Sequence, residues 1–407
     1  MKKIWTLWMA SLFVVLASAQ EADWMTRMNE LQKEINTYIK EEKWGKAADY
    51  MNKQLKLFMS QPDSVRIATV GDTDMNSNFY YNLSCFYALD GKKKQAINAF
   101  KRYTERSVGL SEIHLNHIST DSDLNSIRNN KEFEKCMEKL KVWGDYLNIL
   151  KEAAPYENNQ TSDVSPFQYA HPNDSNLVRV RQYFNLDSIA GAGNELTKIK
   201  NLLTFVHNAI RHDGAHGNPK KMNAIDMYEA CKDGSRGLNC RGLAIVLNEC
   251  YLAMGFKSRF VTCMPRTFIS DCHVINAVYS NTLDKWLYVD PTQNAMVFDE
   301  NNLPLSVQEV RERLRDGRPL ALNEDANWNN QNKTTVEDYL YRYMAKNLYA
   351  ISCTDRSEYN LETRYKGKKP VKYHLLCPTG FTPENYGRVN YIITTDDAWF
   401  WQSPYTK

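Results

Sequence analysis

Between Gly237 and Thr292, three chemically distinct residues fall on three element boundaries, and this stretch constrains the fold more than any other part of the chain. Cys240 is followed by Leu243 to Met254, with apolar residues at helical spacing, and then by Gly255, which suits a left-handed helix end. The spacing predicts a helix that opens at Cys240. Phe256 to Met264, His273 to Ser280 and Lys285 to Val289 are short, β-branched and aromatic, with turn formers such as Asn281 and Asp284 between them. They predict adjacent antiparallel strands, so His273 starts one strand and Asp290 ends the next, at the same edge of a sheet. Unpaired N–H groups at a helix start favour thiolate over thiol and can hold an oxyanion. A thiol that loses its proton to an imidazole, itself oriented by a carboxylate, is a strong nucleophile. Taken singly, each residue has an ordinary structural reading: a buried cysteine, a satisfied histidine, an Asp-Pro-Thr turn. Their order and their local settings point to chemistry.

The three segments resemble the core of the transglutaminase-like superfamily, a branch of the papain-like thiol enzymes, over roughly Leu203 to Leu322. Gly237 to Cys240, Gly255 with Arg259, His273, Trp286 and Asp290-Pro291-Thr292 carry the resemblance. It implies that Cys240 is the nucleophile, His273 the base and Asp290 the orienting carboxylate. His212 falls where family members often carry an aromatic residue ahead of the nucleophile, which suits the cleft or the oxyanion site. Asn239 and Arg241, flanking the cysteine, are further substrate or oxyanion candidates. Arg241 stands where cross-linking members place Trp, and the Cys-x-x-Cys zinc motifs of glycopeptide amidases are missing. The resemblance therefore implies hydrolysis of a peptide or amide, with no cofactor. Two alternatives stay open: a cross-linking transglutaminase, and a binding protein whose enzyme-like domain is inactive. A third, a zinc hydrolase using His207, His212 and His216, meets the objection that a Gly-containing loop does not provide the i, i+4 face of a helix, so no metal site is expected.

The 407 residues suffice for two or three domains. Met1-Lys-Lys, the apolar run Ile4 to Leu16 and Ala17-Ser-Ala19 before Gln20 read as a secretory signal cleaved near Ala19/Gln20, without the Cys a bacterial lipoprotein needs. The expected location is periplasmic or extracellular, with no stable membrane insertion. Removing Lys2 and Lys3 lowers the net charge from +3 to +1, which gives no field toward nucleic acid. Nine cysteines in an exported chain permit disulfides but leave at least one thiol unpaired; Cys85 with Cys136, and Cys353 with Cys377, are candidate pairs.

The expected fold class is α+β: an N-terminal helical-repeat domain, then a papain-like or transglutaminase-like domain of helices and antiparallel sheet. Tyr80, Leu83, Ser84, Tyr87, Ala96 and Phe100, around a turn at Asp90-Gly91, resemble one tetratricopeptide repeat. Such a domain offers a docking surface for a protein partner or substrate chain, or simply packs as support. The expected boundaries are a signal over 1–19, the helical domain over 20–150, a polar linker over 151–174, the catalytic domain over 175–325 and a helix-and-strand extension over 326–407. In the extension, Val336 to Leu348 reads as a helix and Tyr359 to Tyr365, Val371 to Leu376 and Val389 to Thr394 as strands.

Overall fold

Small residues such as Ala47, Ala48, Ser84 and Ala96 let the N-terminal helices approach closely. The computed structural model describes residues 19–61, 74–106, 112–157, 167–214, 217–267, 272–383 and 389–405. Residues 1–18 of the predicted leader, His216 and much of the polar linker lie outside the described residues. The chain divides into two units between Asp145 and Tyr146.

The first unit is helical: α1 (Ala19–Lys40), α2 (Trp44–Met59), α3 (Asp74–Leu89), α4 (Lys93–Arg106), α5 (Glu112–Thr120) and α6 (Lys131–Gly144). Gly91, at φ +75°, takes the left-handed conformation that turns α3 into α4. Ala96 and Ser84 meet between these helices, where the Ser84 hydroxyl donates to the Ala96 carbonyl at 3.0 Å. Ile35, Ala47, Phe58, Phe100 and Leu140 fill the core.

The second unit places helices α7 (Tyr146–Lys151), α8 (Ser175–Phe184), α9 (Leu186–Ala190), α10 (Glu195–Ala209), α11 (Ala224–Glu229) and α12 (Cys240–Ala253) with an eight-stranded sheet. Counting a short β1 (Gln168–Tyr169) outside it, the sheet is built from β2 (Ser258–Met264), β3 (His273–Ser280), β4 (Lys285–Asp290), β5 (Ala295–Phe298), β6 (Ala321–Leu322), β9 (Ala350–Thr354), β11 (Tyr373–Leu376) and β12 (Tyr391–Thr394). Their order is β12-β11-β9-β2-β3-β4-β5-β6, antiparallel except for the β11–β12 pair. A hairpin, β7 (Asn327–Trp328) with β8 (Asn332–Lys333), and a two-residue β10 (Arg356–Ser357) lie outside the sheet.

Both faces of the central strands are covered, so their sequences are apolar without strict alternation. Val274, Val278, Leu287 and Val289 pack with α12. Ile275, Ala277, Trp286 and Tyr288 pack on the opposite side with α13 (Val307–Asp316) and a π-helix (Glu337–Met344). Each such side chain withdrawn from water contributes about 1.5–3 kcal/mol.

Several sequence expectations differ from this arrangement. Tyr146–Lys151 joins the second unit because Leu150 packs into the sheet-side core. The extension supplies β9, β11 and β12 to the same sheet as β2–β4. Tyr359 to Tyr365 is turn and irregular chain rather than strand: Asn360 N donates to the Glu249 side chain at 2.7 Å, and Thr363 Oγ1 accepts from the Met222 backbone N at 2.7 Å. The predicted helix after Thr335 is largely π-helical. Among the described residues no disulfide forms. Cys353 bonds Arg259 among the core residues of one sheet face while Cys377 packs with Met264 and Leu375 on the other, so these two cannot meet. Cys85 turns toward Asp121, and Cys136 toward Thr104.

Candidate active site

Cys240 is the first residue of α12, directly after an N-cap formed by Asn239, whose side-chain oxygen accepts from Gly242 N at 3.1 Å. The same oxygen accepts from Asn218 Nδ2 at 2.8 Å, so the Asn239 side chain is spent on capping. The N–H groups of the first two helical residues, Cys240 and Arg241, lie ahead of the helix's own ladder. A strand-like pairing holds the preceding segment: Asp213 N donates to Leu238 O at 2.7 Å and Leu238 N to Arg211 O at 3.2 Å. Gly237 permits it, since a Cβ there would lie 2.3 Å from the Arg211 carbonyl oxygen. Through that pairing, His212 sits two residues from Cys240 across the bridge to Leu238.

His273 and Asp290 are both nearly or wholly buried and their side chains project from the same face of the sheet. His273 Nε2 bonds Asp290 Oδ2 at 2.7 Å, which leaves Nδ1 toward the sulfur. Asp290 is further fixed by Thr292 N on Oδ1 at 2.8 Å and by the Tyr339 hydroxyl on Oδ2 at 2.5 Å. Tyr339 and Tyr288 share a 2.5 Å hydrogen bond, and the Tyr343 ring stands edge-on to His273 at 5.3 Å.

These contacts set the charges. Burial pushes the Cys240 thiol up, but hydrogen bonds from His212 and His273, the charge on His273 and the Val274 backbone N–H outweigh it and bring the thiol from 9.0 down to about 6. Burial disfavours a His273 cation, but the charge and hydrogen bond of Asp290, with those of Cys240, outweigh it and raise the imidazole from 6.5 to about 10. Burial would also raise Asp290, yet His273, Tyr339 and the Thr292 N–H hold its carboxyl below the usual range. The arrangement supports a thiolate–imidazolium pair at neutral pH.

Arg241 points away along β2, donating to Glu362 at 2.7 Å and to Thr262 at 2.9 Å. His207 bonds the Pro291 carbonyl and Asn327 Oδ1, each at 2.9 Å, so both its nitrogens are engaged in holding β4 to the β7–β8 hairpin. Sequence reasoning missed Trp328, Asn329, Tyr339, Tyr343 and Glu362. The available signal was Asn329-Asn330 after Trp328, a pair suited to the left-handed positions of a tight hairpin turn.

The comparisons fall on this region. Residues 183–291 match the transglutaminase-like superfamily. The transglutaminase-like segment thus contains Cys240, His273 and Asp290, while Trp328 and Tyr339 come from beyond its end. Among solved structures, the chain is similar to "a Putative Cysteine Protease from Cytophaga hutchinsonii", with 15% identity over 41% of this chain and a TM-score of 0.23. The chain spans about half of that protein, 55% of its length. No curated protein matches the chain.

Proposed function

We propose that this protein is an exported thiol acyl-transfer enzyme of papain-like design, a peptidase or amide hydrolase in which Cys240, His273 and Asp290 act in sequence. The observation that carries the reading is the buried His273–Asp290 pair at 2.7 Å, with its imidazole hydrogen-bonded to a sulfur at a helix start. The Cys240 thiolate attacks a carbonyl carbon, a C–S bond forms and the carbonyl electron pair moves to oxygen. His212, the Val274 N–H and the first N–H groups of α12 surround the place where that oxyanion develops. Collapse breaks the C–N bond, and the His273 cation gives its proton to the departing amine. Water then attacks the thioester as His273 takes a proton from it, and the acid leaves with Cys240 restored. Arg241, engaged with Glu362 and Thr262, takes no direct part, and the helical unit is the docking surface for a protein substrate or partner.

Alkylation by iodoacetamide across pH, with mass mapping, tests the reading. Of the nine cysteines, seven are buried, and only Cys240 and Cys272 are partly exposed. Cys240 should react with a midpoint near pH 6, and His273→Ala should move the midpoint above the free-thiol value of about 8.5. A slow Cys240, or one indifferent to His273, would sink the enzyme reading in favour of an inactive binding protein.

A further inference from the structure

The β7–β8 hairpin bonds α10 and the His212 segment through three consecutive residues. Asn327 accepts from His207, Trp328 reaches the His212 ring, and Asn329 takes the His212 main chain. Asn329 does so in both directions: its oxygen accepts from His212 N at 2.6 Å and its nitrogen donates to His212 O at 3.0 Å. The hairpin turn itself is rigid. Asn329 and Asn330 both lie at φ +55°, and Gln331 N closes the turn onto Trp328 O at 3.0 Å. Trp328 is therefore held against His212 by backbone geometry.

The chemistry of that contact is one-directional. Trp328 Nε1 lies 3.2 Å from His212 Nδ1. An indole N–H only donates, so His212 Nδ1 must be the accepting nitrogen, and a neutral imidazole then carries its proton on Nε2. The rings meet at 66° with centroids 6.3 Å apart, an edge approach that suits a hydrogen bond better than stacking. The His212 side chain also hydrogen-bonds the Cys240 sulfur, and with Nδ1 taken by the indole that bond falls to Nε2.

We propose that Trp328 is a positioning residue for the reaction: its indole N–H holds the His212 proton on Nε2, so that His212 presents an N–H donor to the Cys240 sulfur and to the oxyanion formed beside it. The inference rests on the thiol-enzyme reading for its catalytic consequence, but the tautomer itself does not. Two histidines at one sulfur thereby divide the work. His273, bonded to Asp290 through Nε2, offers Nδ1 as the base, while His212, bonded to Trp328 through Nδ1, offers Nε2–H as the donor. Both rings carry the Nε2 proton, but the carboxylate acceptor takes that N–H of His273 and leaves Nδ1 to the sulfur, while the indole donor takes Nδ1 of His212 and leaves its N–H.

Long-range ¹H–¹⁵N correlation on the full chain labelled with ¹⁵N-histidine reads the tautomer directly, with the His212 signals assigned by their loss in His212→Gln. The expected spectrum has a bare Nδ1 and a protonated Nε2 at His212, and Trp328→Phe should move the Nδ1 signal and mix the tautomers. A protonated Nδ1 in the natural chain, or a His212 spectrum unchanged by Trp328→Phe, overturns the proposal. The catalytic consequence is read by acylation with 4-nitrophenyl acetate in a double-mutant cycle. Trp328→Phe should slow acylation by roughly three- to tenfold, short of the ~10²–10³ expected for losing a donor outright. In a His212→Gln background, whose amide N–H needs no indole to orient its proton, Trp328→Phe should cost nothing further. An equal loss in both backgrounds would mean that Trp328 only supports the wall, and the proposal fails. A Cys240 that is never acylated overturns the thiol-enzyme reading and with it the catalytic half of this proposal, while the spectrum still decides the tautomer.

Discussion

The Tyr339 hydroxyl donates to Asp290 across 49 positions of sequence, at 2.5 Å, on the same carboxylate oxygen that His273 Nε2 bonds. Asp290 therefore divides one oxygen between the imidazole and a phenol that comes from beyond the transglutaminase-like segment. Tyr339→Phe should remove a hydrogen bond to a buried charge and cost about 1.5–3 kcal/mol in urea unfolding. Because that bond lowers the Asp290 carboxyl, its loss makes the carboxylate a stronger partner for the His273 cation, and the acid limb of the Cys240 alkylation profile should move to lower pH. An unmoved limb would mean that His273 alone sets the Asp290 charge.

Gly237 is predicted to admit no side chain. In Gly237→Ala the new Cβ would sit 2.3 Å from the Arg211 carbonyl and 2.8 Å from Asp213 Cβ, so the bridge that carries His212 to Cys240 must open. We expect a stability loss of about 1–3 kcal/mol and an upward shift of the alkylation midpoint as the His212 hydrogen bond weakens. Loss of stability with an unchanged midpoint would place His212 outside the control of that bridge.

Glu249, buried in α12, accepts from the backbone N–H groups of Ala224 at 2.8 Å and Asn360 at 2.7 Å. Burial outweighs these bonds and raises the carboxyl from 4.5 to about 8. The folded chain thus holds this proton more tightly than the unfolded chain does. The resulting stabilisation is fully present below about pH 4.5 and is lost as pH rises through about 8. The natural protein should therefore lose stability relative to Glu249→Gln over that window, by an amount on the order of a few kcal/mol. Urea midpoints that move in parallel for the two proteins would count against a protonated Glu249.

Arg259, wholly buried, lies within 4.6–5.1 Å of the ring centres of Phe167, Trp286, Phe400 and Trp401 and donates to Phe400 O at 2.6 Å. Lysine keeps the charge but not the planar group that fits between four rings. Arg259→Lys should cost about 2 kcal/mol or more and speed hydrogen exchange over Asp396–Trp401. Unchanged exchange there would assign the anchoring of this tail to aromatic packing alone.

The sequence by itself determined the local settings of the reactive groups. The helical spacing after Cys240 and the strand composition around His273 and Asp290 are properties of a few neighbouring residues, and local periodicity encodes them directly. Capping by Asn239 likewise concerns adjacent chain, whereas the close approach at Gly237 is made to Arg211 on a separate segment. Only the tertiary structure decided which groups surround them. Trp328, Tyr339 and Glu362 make contacts that span 49 to 121 positions, from a segment that read as polar linker, helix and strand, and no periodicity connects them to Cys240. Their contacts depend on how the chain beyond Asn323 folds back, adding β9, β11 and β12 to a sheet already begun. Pairing between strands that far apart is set by the burial of whole faces, a property of the assembled core that no short window of sequence contains.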